Sequence, residues 1–471
     1  MKNFFIALTR NPLSLAGAAI TTASAVLFAT LFVIDAVGMK GGPYAGIIAY
    51  LVVPAIFVVG LLLIPLGISR ERRRERAALA RGEAAPTFAV LDFNRTETRN
   101  RTLIVLALTL VNLVLLATAT YKGVETMETT AFCGQACHSV MEPEFVAYQR
   151  GAHASVHCVS CHIGPGAGWF VKSKLSGSWQ VISVNLKLYP TPIPSPVHNL
   201  RPARETCEQC HWPEKFVGDR LKVIDTFADD EPNTALKTVL LMRVGGVSGR
   251  SSQGIHWHVD RSNQIRYRSD ESRETIYEVE LTKADGSVER FLADGAAEGE
   301  TAKAGVWRTM DCVDCHNRPS HTFHSPEDEV DLALRDGKIA RDLPFVRREG
   351  VKLLKAEYPS QEEAEQAIAR GLRAYYEKER PELARDRAAD INAAAAALFV
   401  GYKSNVFPNM KITWGTYRNH IGHESSPGCW RCHDDAHKSA SGRTISQDCS
   451  TCHSLLAERE ADPQILKTLS P

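Results

Sequence analysis

No cysteine in this chain is left over. All twelve fall in six short motifs, which leaves no thiol for a disulfide framework or a zinc knuckle. There is no Gly-rich phosphate loop and no Ser/His/Asp arrangement, so nucleotide-driven and serine-hydrolase chemistry have no carrier here. Neither sign of charge dominates, with 55 Lys+Arg against 54 Asp+Glu. From Tyr121 onward the balance shifts to 43 basic against 48 acidic residues, so that part is mildly acidic.

What is present is a repeated chemical motif. Five copies read C-x-x-C-H: Cys158–Cys161–His162, Cys207–Cys210–His211, Cys312–Cys315–His316, Cys429–Cys432–His433 and Cys449–Cys452–His453. The sixth, Cys133-Gly-Gln-Ala-Cys137-His138, has one more residue between its thiols. C-x-x-C-H is the attachment motif of c-type haem. Two thiols bond the haem vinyl groups and the adjacent imidazole meets the iron. The expected cofactor is therefore six covalently bound haem c groups. Such attachment takes place outside the bacterial cytoplasm, which puts residues 133–471 in the periplasm.

Three apolar runs, Leu13–Gly38, Tyr44–Ile68 and Leu103–Thr120, precede the first motif. Each approaches or exceeds the roughly 20 residues that cross a bilayer as helix. The first run is too long for a cleaved signal peptide and two more spans follow it. Between the second and third, Arg70–Arg101 holds nine arginines, whereas the first loop has only Lys40. The basic loop is therefore cytoplasmic, and the third span exits into the periplasm where the motifs begin. Five acidic residues interrupt the arginines, which favours a topology signal touching anionic lipid over nucleic-acid binding.

The expected fold is a three-helix membrane anchor followed by a mostly irregular and α-helical haem-packed periplasmic domain with a small β insertion and a helical insertion. The segments are 1–120 (anchor, with cytoplasmic loop 69–101), 121–220 (three haems), 221–306 (β-rich), 307–325 (fourth haem), 326–410 (helical) and 411–471 (two haems). The β insertion is read from Lys237–Val244, which suits a short helix equally, Gln264–Tyr267, Ile276–Leu281 and Val288–Leu292. The helical one is read from Glu327–Leu334, Arg347–Ala356, Gln361–Tyr376 and Glu382–Tyr402.

Ten of the sixteen histidines lie outside the motifs and are candidates for the opposite axial position. His153, His321 and His437 stand within five residues of a motif. His198 follows the proline run Tyr189–Pro196. His256 and His258 flank Trp257 in what reads as a strand, on opposite faces, with one of the two expected at an iron. One of His420 and His423 is expected too. Met141, three residues after His138, is a candidate ligand of the first iron, or a hydrophobe packed against it.

These residues carry a resemblance. Over about 103–211 the chain resembles the NapC/NirT/NrfH family of membrane-anchored multihaem quinol dehydrogenases. The likeness rests on a span leading directly into Cys133–Met141, the next motif after Ala152-His153, and the stretch Trp169-Phe-Val-Lys172-Ser-Lys174. The larger inner-membrane NapC/NirT-type cytochromes of metal-reducing pathways match the layout more closely still. The resemblance implies a methionine at or near the first iron, matched by Met141, and a lysine at the quinol pocket, matched by Lys172 or Lys174. Glu142 and Glu144 follow the first motif and are candidate proton acceptors.

The resulting expectation is a quinol-oxidising cytochrome of the inner membrane that serves a periplasmic cytochrome or terminal reductase. Its partners are the quinol pool and the bilayer, with no nucleic acid, and either a homo-oligomer or a larger complex accommodates it. Two other readings stand beside it. One is a reductase with an open-coordination haem acting on nitrite, hydroxylamine or a sulfur oxyanion. The other is a haem-bearing docking subunit of a respiratory complex. Ten spare histidines and the lack of a C-x-x-C-K motif weigh against the reductase.

Overall fold

The computed structural model describes residues 11–36, 52–82, 93–136, 138–164, 167–196, 201–245, 254–260, 263–295, 305–424 and 426–469. The chain divides into two compact units, Met1–His138 and Ser139–Pro471.

The first unit contains three helices long and apolar enough to cross a membrane: α1 (Pro12–Ala36), α2 (Val53–Ala80) and α3 (Thr96–Met127). The stretch of the expected second span before Val52 lies outside the described residues. α1 and α2 meet through small side chains. A Cβ on Gly60 would meet Thr21 Oγ1 at 2.6 Å, and one on Gly67 would overlap Ser14. Small residues allow such close approach where lipid gives no hydrophobic drive between helices. Pro65 sits inside α2 without ending it, and the helix continues beyond the apolar part through Arg70–Arg76. After α3 the residues Phe132–Ala136 form a π-helical turn. A π turn takes up one extra residue, and this one carries the inserted residue of the first motif.

The second unit starts with α4 (His138–Arg150) and α5 (Ala167–Asn185). Two antiparallel sheets follow. In one, β1 (Asp219–Phe227) and β2 (Ala235–Arg243) form a hairpin, and β2 also pairs with the C-terminal strand β8 (His453–Glu460). In the other the order is β6-β3-β4-β5-β7, built from β3 (Gln264–Ser269), β4 (Ile276–Thr282), β5 (Val288–Leu292), β6 (Val306–Thr309) and β7 (Lys438–Ser439). The segment Lys237–Val244 is therefore strand rather than helix. Both sheets draw a strand from the last sixty residues, so the β-rich insertion and the C-terminal motifs fold together.

Helices α6 (Pro326–Arg335), α7 (Val346–Leu354), α8 (Gln361–Glu379), α9 (Pro381–Asp386) and α10 (Ala388–Lys403) form a lobe. The expected helix Glu382–Tyr402 is two helices, broken at Arg387. The largest apolar core lies here, with Leu334, Leu343, Leu354, Ile368, Leu372 and Tyr376 fully buried. Replacing Leu372 by alanine should cost about 2–5 kcal/mol, read by denaturant titration of the helical signal. A loss under about 1 kcal/mol would mean that this site collapses around the change.

Polar contacts tie the lobe to its surroundings. Asn233, in the β1–β2 turn, donates to the carbonyls of Arg341 and Leu343 and accepts from Arg347 N–H. Glu329, 6% exposed, receives Arg150 at 2.7 Å, His324 at 2.9 Å and Asn405 at 2.9 Å. Burial pushes its carboxyl up, but the His324 hydrogen bond and the Arg150 charge outweigh that, and the net direction is down. A depressed folded-state pKa stabilises above the unfolded value and ceases to as pH falls through the folded value. Glu329→Gln should therefore lose about 3 kcal/mol at neutral pH, with the deficit closing below the ordinary carboxylate range. A pH-independent deficit in denaturant titrations would contradict this.

Candidate haem-binding site

The second unit pairs its histidines. His162 faces His321 with ring centres 6.2 Å apart, His211 faces His153 at 6.0 Å, His316 faces His256 at 6.5 Å, His433 faces His258 at 5.7 Å and His453 faces His423 at 6.1 Å. Each pair joins one motif histidine to one histidine from elsewhere. Imidazole–metal bonds are about 2.0–2.1 Å. Adding roughly 1.1 Å from each nitrogen to its ring centre gives about 6 Å between two rings that share one metal. The spacing fits an iron between each pair. Among the described residues no three His, Cys, Asp or Glu converge as a metal cluster. Pairs without a third ligand suit haem, whose porphyrin supplies four in-plane donors.

The outward nitrogens agree. His153 Nδ1 lies 3.0 Å from the Pro319 carbonyl, His256 Nδ1 2.7 Å from that of Val244, and His258 Nδ1 2.7 Å from that of Ile255. His321 Nδ1 is 2.9 Å from the Glu144 carbonyl and His433 Nδ1 2.8 Å from that of Ser446. Metal-bound histidines commonly donate their second N–H in this way, which fixes the ring and leaves Nε2 for the metal. Burial lowers the pKa of His162, His258, His316 and His453, which favours the neutral, ligating imidazole.

Neighbouring motifs lie side by side in chain order. The Cys161 thiol is pushed up by burial first and then by Cys207. Cys207 and Cys312 share a thiol hydrogen bond. Cys315 is pushed up to about 12 by burial first, with Cys429 and Cys452 adding to it. Trp430, inside the fifth motif, stacks on His423 at 4.0 Å. The five motifs of this unit thus form a continuous row.

Several expected residues are placed differently. His437 is 1% exposed, with Nδ1 2.9 Å from Asp434 and Nε2 3.2 Å from the Ile276 carbonyl. Both nitrogens are engaged, so it is a core histidine beside β4. His420 has Nε2 on Glu274 at 3.2 Å, and His423 is the one that meets a motif. The segment Ile255–Val259 is a 3₁₀ turn, not a strand, and it presents both His256 and His258 to motif histidines instead of one of them. The reason is local, because the His256 and His258 contacts to Val244 and Ile255 coil the backbone. His198 and Cys137 lie outside the described residues, as do the side chains of His138 and Lys174.

Glu144 is held by Arg318 at 3.0 Å and lies 3.3 Å from His321 Nδ1, whereas Glu142 is exposed. The Lys172 ammonium sits 4.6 Å from the Trp169 ring. Further along α5, Leu175, Trp179 and Ile182 are exposed at helical spacing, and Leu186 is exposed just past its end. A stripe of this kind beside a lysine and tryptophan suits the bilayer interface.

A family model described as the NapC/NirT cytochrome c family, N-terminal region, matches residues 95–192. A protein named cytochrome c-type protein ImcH, from Geobacter sulfurreducens, is 40% identical over 453 residues, which span 95% of this chain and 88% of that protein. No solved structure matches.

Proposed function

The chain belongs to the NapC/NirT cytochrome c family, and on that premise we propose that it is a hexahaem quinol dehydrogenase, anchored in the inner membrane and serving a periplasmic acceptor. The family is one of quinol-linked electron transfer. The observation that carries the finer reading is the set of five histidine pairs, each spaced for one iron. When bound, haem supplies a centre that takes up and releases one electron.

The chain's own residues do the rest. The paired cysteines anchor the groups. His153, His256, His258, His321 and His423, each facing a motif histidine (His211, His316, His433, His162 and His453), would hold the irons together with those partners. Two imidazoles on an iron would leave no place for a substrate, so these five sites would transfer electrons and the reductase reading would need the first motif. There Cys133, Cys137 and His138 hold the haem. Met141, three residues on, would ligate that iron or pack against the haem. Lys172 or Lys174 would hydrogen-bond a quinol oxygen, and Glu142 would receive a proton. Glu144, occupied by Arg318, orients His321.

The arginine-rich loop would stay in the cytoplasm and residues 121–471 in the periplasm. The segments 121–220, 221–306, 307–325, 326–410 and 411–471 are kept as regions, with the second and last joined by shared sheets.

The test is anaerobic addition of a short-chain quinol to the purified, membrane-reconstituted protein, with intact mass as a haem count. Six attached haems and their reduction by quinol are expected. Reduction by dithionite but not by quinol would leave the docking-subunit reading.

A further inference from the structure

We propose that Arg431 and the turn Ile255–Val259 bind the fourth and fifth haem groups into one coupled redox pair, a step that joins the front of the row to its rear. This rests on the axial-ligand reading above.

The turn is pinned along its length. Gly254 passes so close to the carbonyls of Arg243 and Gly245 that a Cβ would collide with both. At the far end Arg204 donates to the Val259 carbonyl at 2.6 Å, and Arg204 belongs to the short helix Ala203–Cys207 of the third motif. Between them Trp257 packs into the core of the five-stranded sheet, among Ile265, Tyr267 and Cys432 of the fifth motif. From this fixed turn His256 meets His316 of the fourth motif and His258 meets His433 of the fifth. Two residues apart, they serve different irons and cannot move independently.

The attachment loops are joined on their other side. In the fourth motif Asp314 is 4% exposed and accepts from Tyr267 Oη at 2.5 Å and Arg273 Nη1 at 3.0 Å. In the fifth, Arg431 donates Nη2 to the Asp314 carbonyl at 2.6 Å, Nη1 to the Arg273 carbonyl at 2.7 Å and Nε to the Gly428 carbonyl at 2.8 Å. The residue between the cysteines of one motif thus grips the corresponding residue of the other. Its guanidinium faces carbonyls in all three contacts, so its charge is not cancelled by a directly bonded carboxylate.

A cation near two irons favours the reduced state of both, since hydrogen bonds and local charge set haem potentials. One electron is lost at one iron as it is gained at the other, with no bond made or broken. Arg431 is thus a positioning residue for that exchange, and it sets both potentials.

The two sites can be told apart spectroscopically. The His256 and His316 planes differ by 6° and the His258 and His433 planes by 73°. Parallel axial imidazoles give a rhombic low-spin ferric signal, and near-perpendicular ones a strongly anisotropic signal. The experiment is a redox titration followed by EPR on the full-length protein carrying Arg431→Gln or Arg431→Lys, with intact mass confirming that all haems are attached. Arg431→Gln should lower the midpoints of one rhombic and one anisotropic signal together. Arg431→Lys, which retains the charge, should restore most of the shift. Movement of one signal alone, or of neither, would overturn the coupling. The ligand reading is checked separately by His256→Ala and His258→Ala. If neither produces a high-spin haem, the ligand reading fails and takes the coupling with it. If both do and the Arg431→Gln shift is unpaired, only the coupling fails.

Discussion

Replacing His321 by alanine should convert one low-spin haem to high-spin, whereas His437→Ala should add no high-spin haem to those of the unaltered protein. The contrast is instructive because both histidines stand within five residues of a motif. His321 presents its ring to His162 at 6.2 Å and turns Nδ1 to the Glu144 carbonyl, which leaves one nitrogen for a metal. His437 has committed both nitrogens to Asp434 and Ile276. Its removal should instead loosen the packing at β4, at about 1–3 kcal/mol for the hydrogen-bonded groups left behind. The same gain of high-spin signal is expected for His153, His256, His258 and His423, one haem each. An added high-spin signal from His437→Ala, or none from His321→Ala, would refute the pairing.

The second large effect concerns the quinol. Lys172→Gln should slow haem reduction by a quinol roughly tenfold and leave reduction by a small soluble donor unchanged. A hydrogen bond from a charged donor contributes about 1.5–3 kcal/mol, and 1.4 kcal/mol is about one decade in rate. The glutamine retains a donor but not the charge. Lys172 is exposed beside Trp169 at the start of the apolar stripe of α5, which is where a group meeting a membrane-dissolved molecule must stand. Wild-type quinol rates in Lys172→Gln and in the parallel Lys174→Gln would place the site elsewhere. Equal slowing with both donors would point to damage beyond the site.

Local chemistry made much of this legible in the sequence. The motifs state haem as the cofactor, and apolar length states the anchor. The runs Ile276–Leu281 and Val288–Leu292, rich in Val, Ile, Leu and Tyr and parted by the turn signal Asp285-Gly286, are read as strands. What escaped was whatever depends on partners distant in the chain. The pairing of His433 with His258 joins positions 175 residues apart, which no spacing rule reaches. Proximity to a motif misdirects at His437, because Asp434 lies three residues away and captures the ring first. The His256-Trp257-His258 turn imitates a strand in composition, and only Gly254 hints that the backbone is squeezed there. Strand β8, with its acidic and basic residues, gives no strand signal of its own. It is a strand because β2 offers it an edge.

That last strand has a consequence for how the protein is made. A chain synthesised from its N-terminus delivers His453–Glu460 well after β2, and until they arrive β2 presents an open edge, the kind that recruits stray strands. Two of the five histidine pairs also wait for the final fifty residues. A chain cut short before β8 would leave the edge of β2 unpaired, open to aggregation or proteolysis.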